Sequence, residues 1–129
     1  IVQVLLGHGH VLDLDHAGRP AWAFQAQVAA ALEVVGEGPE VLIAVSSDLS
    51  HFHDYHTACE LDAGTADCIT ALRGDELDSE AACGYRAIRG LLRVARARGW
   101  RCRPLVLRNS GDTAGPRHRV VGYGAFAFD

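Results

Sequence analysis

An apolar run, Val41-Leu42-Ile43-Ala44-Val45, stops abruptly and is followed by Ser46-Ser47-Asp48-Leu49-Ser50-His51-Phe52-His53-Asp54-Tyr55-His56. A short, branched apolar run bounded in this way reads as a buried strand. Titratable side chains crowded just past the end of such a strand lie where open α/β sheets form their ligand crevices. The rest of the chain reads as scaffold for this loop, or as a second arm reaching toward it.

The remaining segments fit one α/β domain over residues 1–129, a size at which a single core suffices. Residues 1–6, Ile-Val-Gln-Val-Leu-Leu, form a first strand that ends in Gly7-His8-Gly9-His10. His8 and His10 share a face if the backbone stays extended, which makes them either a metal pair or solvated loop histidines. Pro20 opens a helix in which Phe24, Val28, Ala31, Leu32 and Val35 form one apolar stripe, closed by Gly36-Glu37-Gly38-Pro39. After the histidine loop, Asp54 is suited to cap a second helix with Ala58, Leu61, Thr65, Cys68, Ile69 and Leu72 inward, ended by Gly74. An acidic connector over residues 75–80 leads to a third helix that opens at Ala81-Ala82-Cys83-Gly84-Tyr85. Its apolar stripe is Ile88, Leu91, Leu92 and Ala95, and Gly99 ends it. Strands follow over residues 101–107 and 119–128, with turn formers between them. Alternation of strands and helices predicts a mixed, mainly parallel sheet flanked by helices, with an antiparallel edge at the C-terminus.

Charge and composition narrow the function classes. The formal charge is −4 and all 12 basic residues are arginines without an aromatic-laced basic cluster, which argues against a nucleic-acid surface. No apolar run has the ~20 residues of a membrane span. Four scattered cysteines form no CxxC pair, so a cytoplasmic protein with reduced thiols is expected. The chain has no methionine and starts in mid-strand, which reads either as a portion of a longer protein or as loss of a short stub.

Three features can carry chemistry. Asp48 lies three residues before His51, either to orient and charge-stabilise its imidazole for acid/base work or merely to tie the loop through local hydrogen bonds. His51, His53 and His56 can be read as a local zinc cluster, a weak signal at that spacing. Cys83 precedes a helix, where backbone N–H groups and the macrodipole favour a thiolate, either nucleophile or metal ligand; the alternative is an ordinary buried thiol.

Taken together, Val41 to His51, then Tyr55 and Asp62, then Ala82-Cys83-Gly84-Tyr85, Ser110-Gly111-Asp112 and Arg119-Val120-Val121-Gly122-Tyr123 resemble the Memo family in content and order. Its bacterial and archaeal members are called AmmeMemoRadiSam system protein B. The family is related in fold to the class III extradiol ring-cleaving dioxygenases. The resemblance implies the C-terminal portion of a protein with a non-haem metal, Fe(II) or Cu, held by two histidines of an N-terminal half and by a cysteine matching Cys83. It implies His51 as the acid/base residue with Asp48 beside it. Ser50, His53, Tyr85, Ser110 and Asp112 are then expected around a small-molecule pocket. His8 and His10 do not stand where the family pattern has its ligands.

The expected function is a metal-dependent oxidoreductase of dioxygenase type. Association with an N-terminal half or with a second copy is expected, and the isolated chain can lack metal. The rival readings are a non-catalytic binding module and a zinc hydrolase on His51, His53 and His56.

Overall fold

The computed structural model describes residues 26, 29–31, 45 and 47–129. The strand expected over residues 1–6, the His8/His10 loop and nearly all of the strand over 41–45 lie outside the described residues. Of the first helix, residues 29–31 are helical, with Ala29 buried against Leu91 and Val94. Ala31, assigned to the buried stripe by its spacing, is exposed.

The order of the regular elements is β1 (His51–His53), α1 (Tyr55–Thr70), α2 (Tyr85–Arg98), β2 (Cys102–Asn109) and β3 (Val120–Phe128). Short 3-10 turns occupy Gly74–Glu76 and Ser110–Asp112. The strands form one sheet in the order β1-β3-β2, and both pairings are antiparallel. The α/β class holds, but the mainly parallel pairing does not extend to these strands. β2 and β3 are joined by a turn too short for a crossover, so they close as a hairpin. Its register runs from Cys102 opposite Phe128 to Asn109 opposite Gly122.

β1 was expected as loop. It pairs because Leu49 N–H donates to Gly122 O and Gly122 N–H donates to Ser50 O, both at 2.8 Å, laying this segment against β3. His51 faces Val121 and His53 faces Val120, so the three residues span two and Phe52 is an inserted bulge residue. Phe52 takes φ 65, the left-handed region, at a cost of about 1–2 kcal/mol for such a side chain.

Asp54 caps α1 as its position requires. Its carboxylate accepts from the His56 and Thr57 N–H groups at 3.1 and 3.2 Å and from the Thr57 hydroxyl at 2.6 Å. The buried face is Ala58, Asp62, Thr65, Ala66 and Ile69. Leu61, expected inside, is 44% exposed, and the carboxylate beside it takes the inner position. α1 ends at Thr70, before Gly74. Arg73 N–H reaches Cys68 O and Leu72 N–H reaches Ile69 O, while Leu72 takes φ 57. That is a Schellman closure with leucine where glycine is usual. Gly74 instead opens the 3-10 turn where the chain passes close to Arg89 and Leu92 of α2.

α2 begins at Tyr85, four residues later than expected, with Gly84 as its N-cap. Ile88, Leu91, Leu92 and Ala95 are buried as their spacing dictates, and Gly99 ends the helix at φ 69. Leu49, Ile69, Leu77, Ala82, Ile88, Leu92 and Cys102 form the main core cluster. Gly64 lies on the exposed side of α1 with open space around its Cα. Gly64→Ala is therefore expected to stabilise the chain by about 0.5–1 kcal/mol in urea denaturation, since alanine restricts the unfolded backbone and fits the helix.

Candidate functional site

Two segments far apart in sequence are clasped together where β1 begins and α2 is about to begin. Cys83 N–H donates to Asp48 O at 3.2 Å. In return, Asp48 N–H donates to Cys83 Sγ at 3.3 Å. The Ser47 hydroxyl donates to Asp48 O and accepts from Gly84 N–H, each at 2.8 Å, and lies 3.5 Å from the Cys83 sulfur. The turn that carries Cys83 is thus pinned to residues 47–48 by one backbone–backbone bond and by contacts through the Ser47 hydroxyl and the Cys83 sulfur.

His51 enters from the same segment. Its Nε2 lies 3.6 Å from Asp48 Oδ2, an ion-pair distance rather than a hydrogen bond. A carboxylate oxygen of Asp48, an imidazole nitrogen of His51 and the Cys83 sulfur all lie within 4.8 Å of one another. Asp48 and His51 are half-buried and Cys83 is exposed, so the group faces a surface that a ligand can reach. Among the described residues no other group of three or more histidine, cysteine or acidic side chains converges in this way. Oxygen, nitrogen and sulfur donors at this spacing fit one cation of intermediate softness.

The support beneath this cluster is Asp62. It is 2% exposed, and its Oδ1 accepts Ser50 N–H at 2.9 Å. The carboxylate lies against Gly122, where a Cβ would collide with it. Asp62 therefore locks the residue before His51 to α1, and Gly122 leaves room for that lock. Periodicity alone passes over it, because carboxylates are seldom buried. The usable signal was its place, four residues after Ala58 and three before Thr65, on the inner stripe. A cavity of about 270 Å³, lined by Leu49, Ile69, Ile88, Leu91, Phe126 and Phe128, reaches the clasp at Ser47.

The other residues expected around a pocket are placed separately. Ser50 is 1% exposed, and its hydroxyl has no hydrogen-bond partner among the described residues; its backbone does the positioning. His53 and His56 do not join the cluster. Tyr85 packs against the main core, with the Arg86 guanidinium 5.2 Å from its ring centroid. Ser110 Oγ accepts Val121 N–H at 3.1 Å. Asp112 accepts Asn109 N–H at 3.0 Å and the Tyr55 hydroxyl at 2.7 Å. Ser110 and Asp112 thus tie the β2–β3 turn to β3 and α1.

The Tyr55–Asp112 bond has a defined pH window. Hydrogen bonds from Asn109 N–H and then Tyr55 hold the Asp112 carboxyl below its ordinary 3.8. The same Asp112 contact raises the Tyr55 phenol above 10.0. A lowered carboxyl contributes stability above its unfolded pKa and loses it as pH falls through the folded one. A raised phenol contributes below its unfolded pKa and loses it as pH rises through the folded one. Tyr55→Phe is therefore expected to lower the melting temperature slightly between pH 4 and 10, with the difference closing on either side. Thermal scans across pH check this; a difference that persists at strongly acid pH would mean that the hydroxyl acts by something other than the carboxylate.

No helix among the described residues is long and apolar enough to cross a membrane. Compared with known proteins, the sequence matches the Memo-like protein family over residues 20–127. It is 37% identical over 93 residues to a MEMO1 family protein of Thermoplasma acidophilum, covering 67% of this chain and 34% of that protein. A MEMO1 family protein of Sulfolobus acidocaldarius is 36% identical over 92 residues, 65% of this chain and 32% of its own length. The chain thus spans about a third of the length of these curated relatives. A match that includes the clasp, the buried Asp62 and the glycine that accommodates it shows that the chain belongs to the Memo-like family.

Proposed function

We propose that this chain carries one side of a metal-dependent oxidoreductase centre of the ring-cleaving dioxygenase type. The observation that supports it is the convergence of Asp48, His51 and Cys83 on a reachable surface. Cys83 is the anchoring ligand, held in place by the Asp48 and Gly84 backbone contacts. Further ligands come from outside the described residues. Fe(II) or Cu, when bound there, supplies the redox chemistry for dioxygen and a hydroxylated small molecule. His51 accepts the substrate hydroxyl proton, and the Asp48 carboxylate stabilises the imidazolium that forms. Asp62 keeps the His51 segment in register with β3. The four unpaired cysteines agree with a cytoplasmic setting.

Co(II) titration tests the reading, because a thiolate ligand produces a sulfur-to-metal charge-transfer band. One equivalent is expected to give that band in the wild-type chain and none in Cys83→Ala. Uptake by the wild-type chain without the band overturns the proposal, as does absence of uptake when the N-terminal portion of a Memo-like relative is added. Absence of uptake favours a non-catalytic binding module. Zinc retained by Cys83→Ala but lost from His53→Ala would favour the hydrolase reading instead.

A further inference from the structure

Phe52 combines two properties that rarely coincide. It holds φ 65, which bulky residues seldom adopt, and its side chain is 61% exposed. Burial of the ring therefore does not offset the backbone strain. Glycine or asparagine would form the same bulge with less strain. Strained residues of this kind collect at ligand-contacting sites, and this one lies between His51 and His53. Its ring meets the His51 imidazole edge-on, with centroids 5.6 Å apart.

The Arg119 guanidinium lies over the same ring, its Cζ 4.2 Å from the centroid. Arg119 is exposed and makes no ion pair among the described residues. A guanidinium held over a ring by its cationic carbon forms no hydrogen bond to that ring through its N–H fork, which is the group that matches a carboxylate. The neighbouring Arg117 is otherwise engaged, over the Tyr55 ring at 4.5 Å and beside Asp112. One uncommitted cation beside one exposed ring suits a compact monoanion with an aromatic body. A polyphosphate or nucleic acid needs several cations, and the chain has a formal charge of −4.

We infer that Phe52 and Arg119 form a recognition lip for the Asp48–His51–Cys83 cluster, which takes an aromatic carboxylate with its ring against Phe52 and its carboxylate on the Arg119 guanidinium. Arg119 precedes β3 and Phe52 interrupts β1, so the register of His53 with Val120 brings them together. The lip is attached to His51 through the backbone, so a ligand seated on it lies beside the imidazole. As a statement about substrate class this rests on the proposed function; as a binding site it does not require the metal.

NMR titration of the chain with benzoate, and with neutral benzyl alcohol as its match, tests the lip. Benzoate is expected to shift the Phe52 ring and Arg119 Nε–H signals saturably, and benzyl alcohol to bind at least about tenfold more weakly. Arg119→Gln and Phe52→Gly are each expected to weaken benzoate by at least about tenfold. Phe52→Gly retains the fold because glycine accepts the left-handed conformation, which the amide spectrum checks. Absence of benzoate binding, equal affinity for benzyl alcohol, or unchanged affinity in both variants overturns the inference. The Co(II) band is read in parallel. If it is absent while benzoate follows the expected pattern, the metal reading fails and the lip stands.

Discussion

Gly122→Ala is expected to destabilise the chain by at least about 1–3 kcal/mol. Gly122 is buried in β3, opposite Asn109, and both its backbone groups hydrogen-bond the segment that carries Leu49 and Ser50. A Cβ at this position would occupy the place of the Asp62 carboxylate. Two responses are open, and both cost stability. If Asp62 rotates away, Ser50 N–H is left buried without its acceptor, at about 1–3 kcal/mol, and the carboxylate needs a new partner. If β3 moves instead, overpacking costs about 1–3 kcal/mol and the Leu49 and Ser50 contacts lengthen. Urea denaturation reads the effect as a lower midpoint at unchanged slope. Because Gly64→Ala is expected to have the opposite sign, the pair separates a collision from a general effect of adding a methyl group. Wild-type stability in Gly122→Ala would mean that the Asp62 lock does not exist in solution.

Cys83→Ala is expected to reduce cobalt affinity at least about a hundredfold, with little change in folding stability. Cys83 is the anchoring ligand and the softest donor in the cluster, and its loss leaves Asp48 and His51, which in this reading handle the substrate proton rather than hold the ion. The stability effect is small because Cys83 is exposed, so water can replace the sulfur as acceptor of Asp48 N–H, and the bond from Cys83 N–H to Asp48 O is kept. His51→Ala is expected to retain the charge-transfer band, with affinity weakened about 10–100-fold, the range seen when a supporting group around a metal is removed. Equal loss in the two variants would make His51 a ligand rather than the proton acceptor. Isothermal titration of the metal, with the unfolding midpoint of each variant measured alongside, distinguishes these outcomes.

Much of the helical framework was legible because it depends on local chemistry. Asp54 caps α1 through its own short side chain, and Ile88, Leu91, Leu92 and Ala95 lie on one face of α2 by spacing alone. Gly99 ends α2 because glycine accepts the left-handed conformation. The misses have separate origins. Gly74 looked like a stop, but the Schellman bonds closed α1 earlier on a leucine. Leu61 looked buried, yet Asp62 is inside, since its value comes from an amide twelve residues earlier that periodicity does not register. The resemblance was also readable, as an ordered set of short motifs, and the family match agrees with it.

Residue types and local spacing were sufficient to specify the Asp54 and Gly99 caps, the α2 stripe, the hairpin strands and which side chains had the chemistry to matter, since these follow from interactions within a few residues. Only the tertiary structure decided that Ser47 and Asp48 meet Cys83, that β1 joins β3 antiparallel with Phe52 extruded beside Arg119, and that Ser110 and Asp112 serve the turn. Apart from the local Asn109–Asp112 cap and the Ser110–Val121 bond within the hairpin, those outcomes depend on pairing register and on contacts between residues tens of positions apart, and no local propensity carries that information.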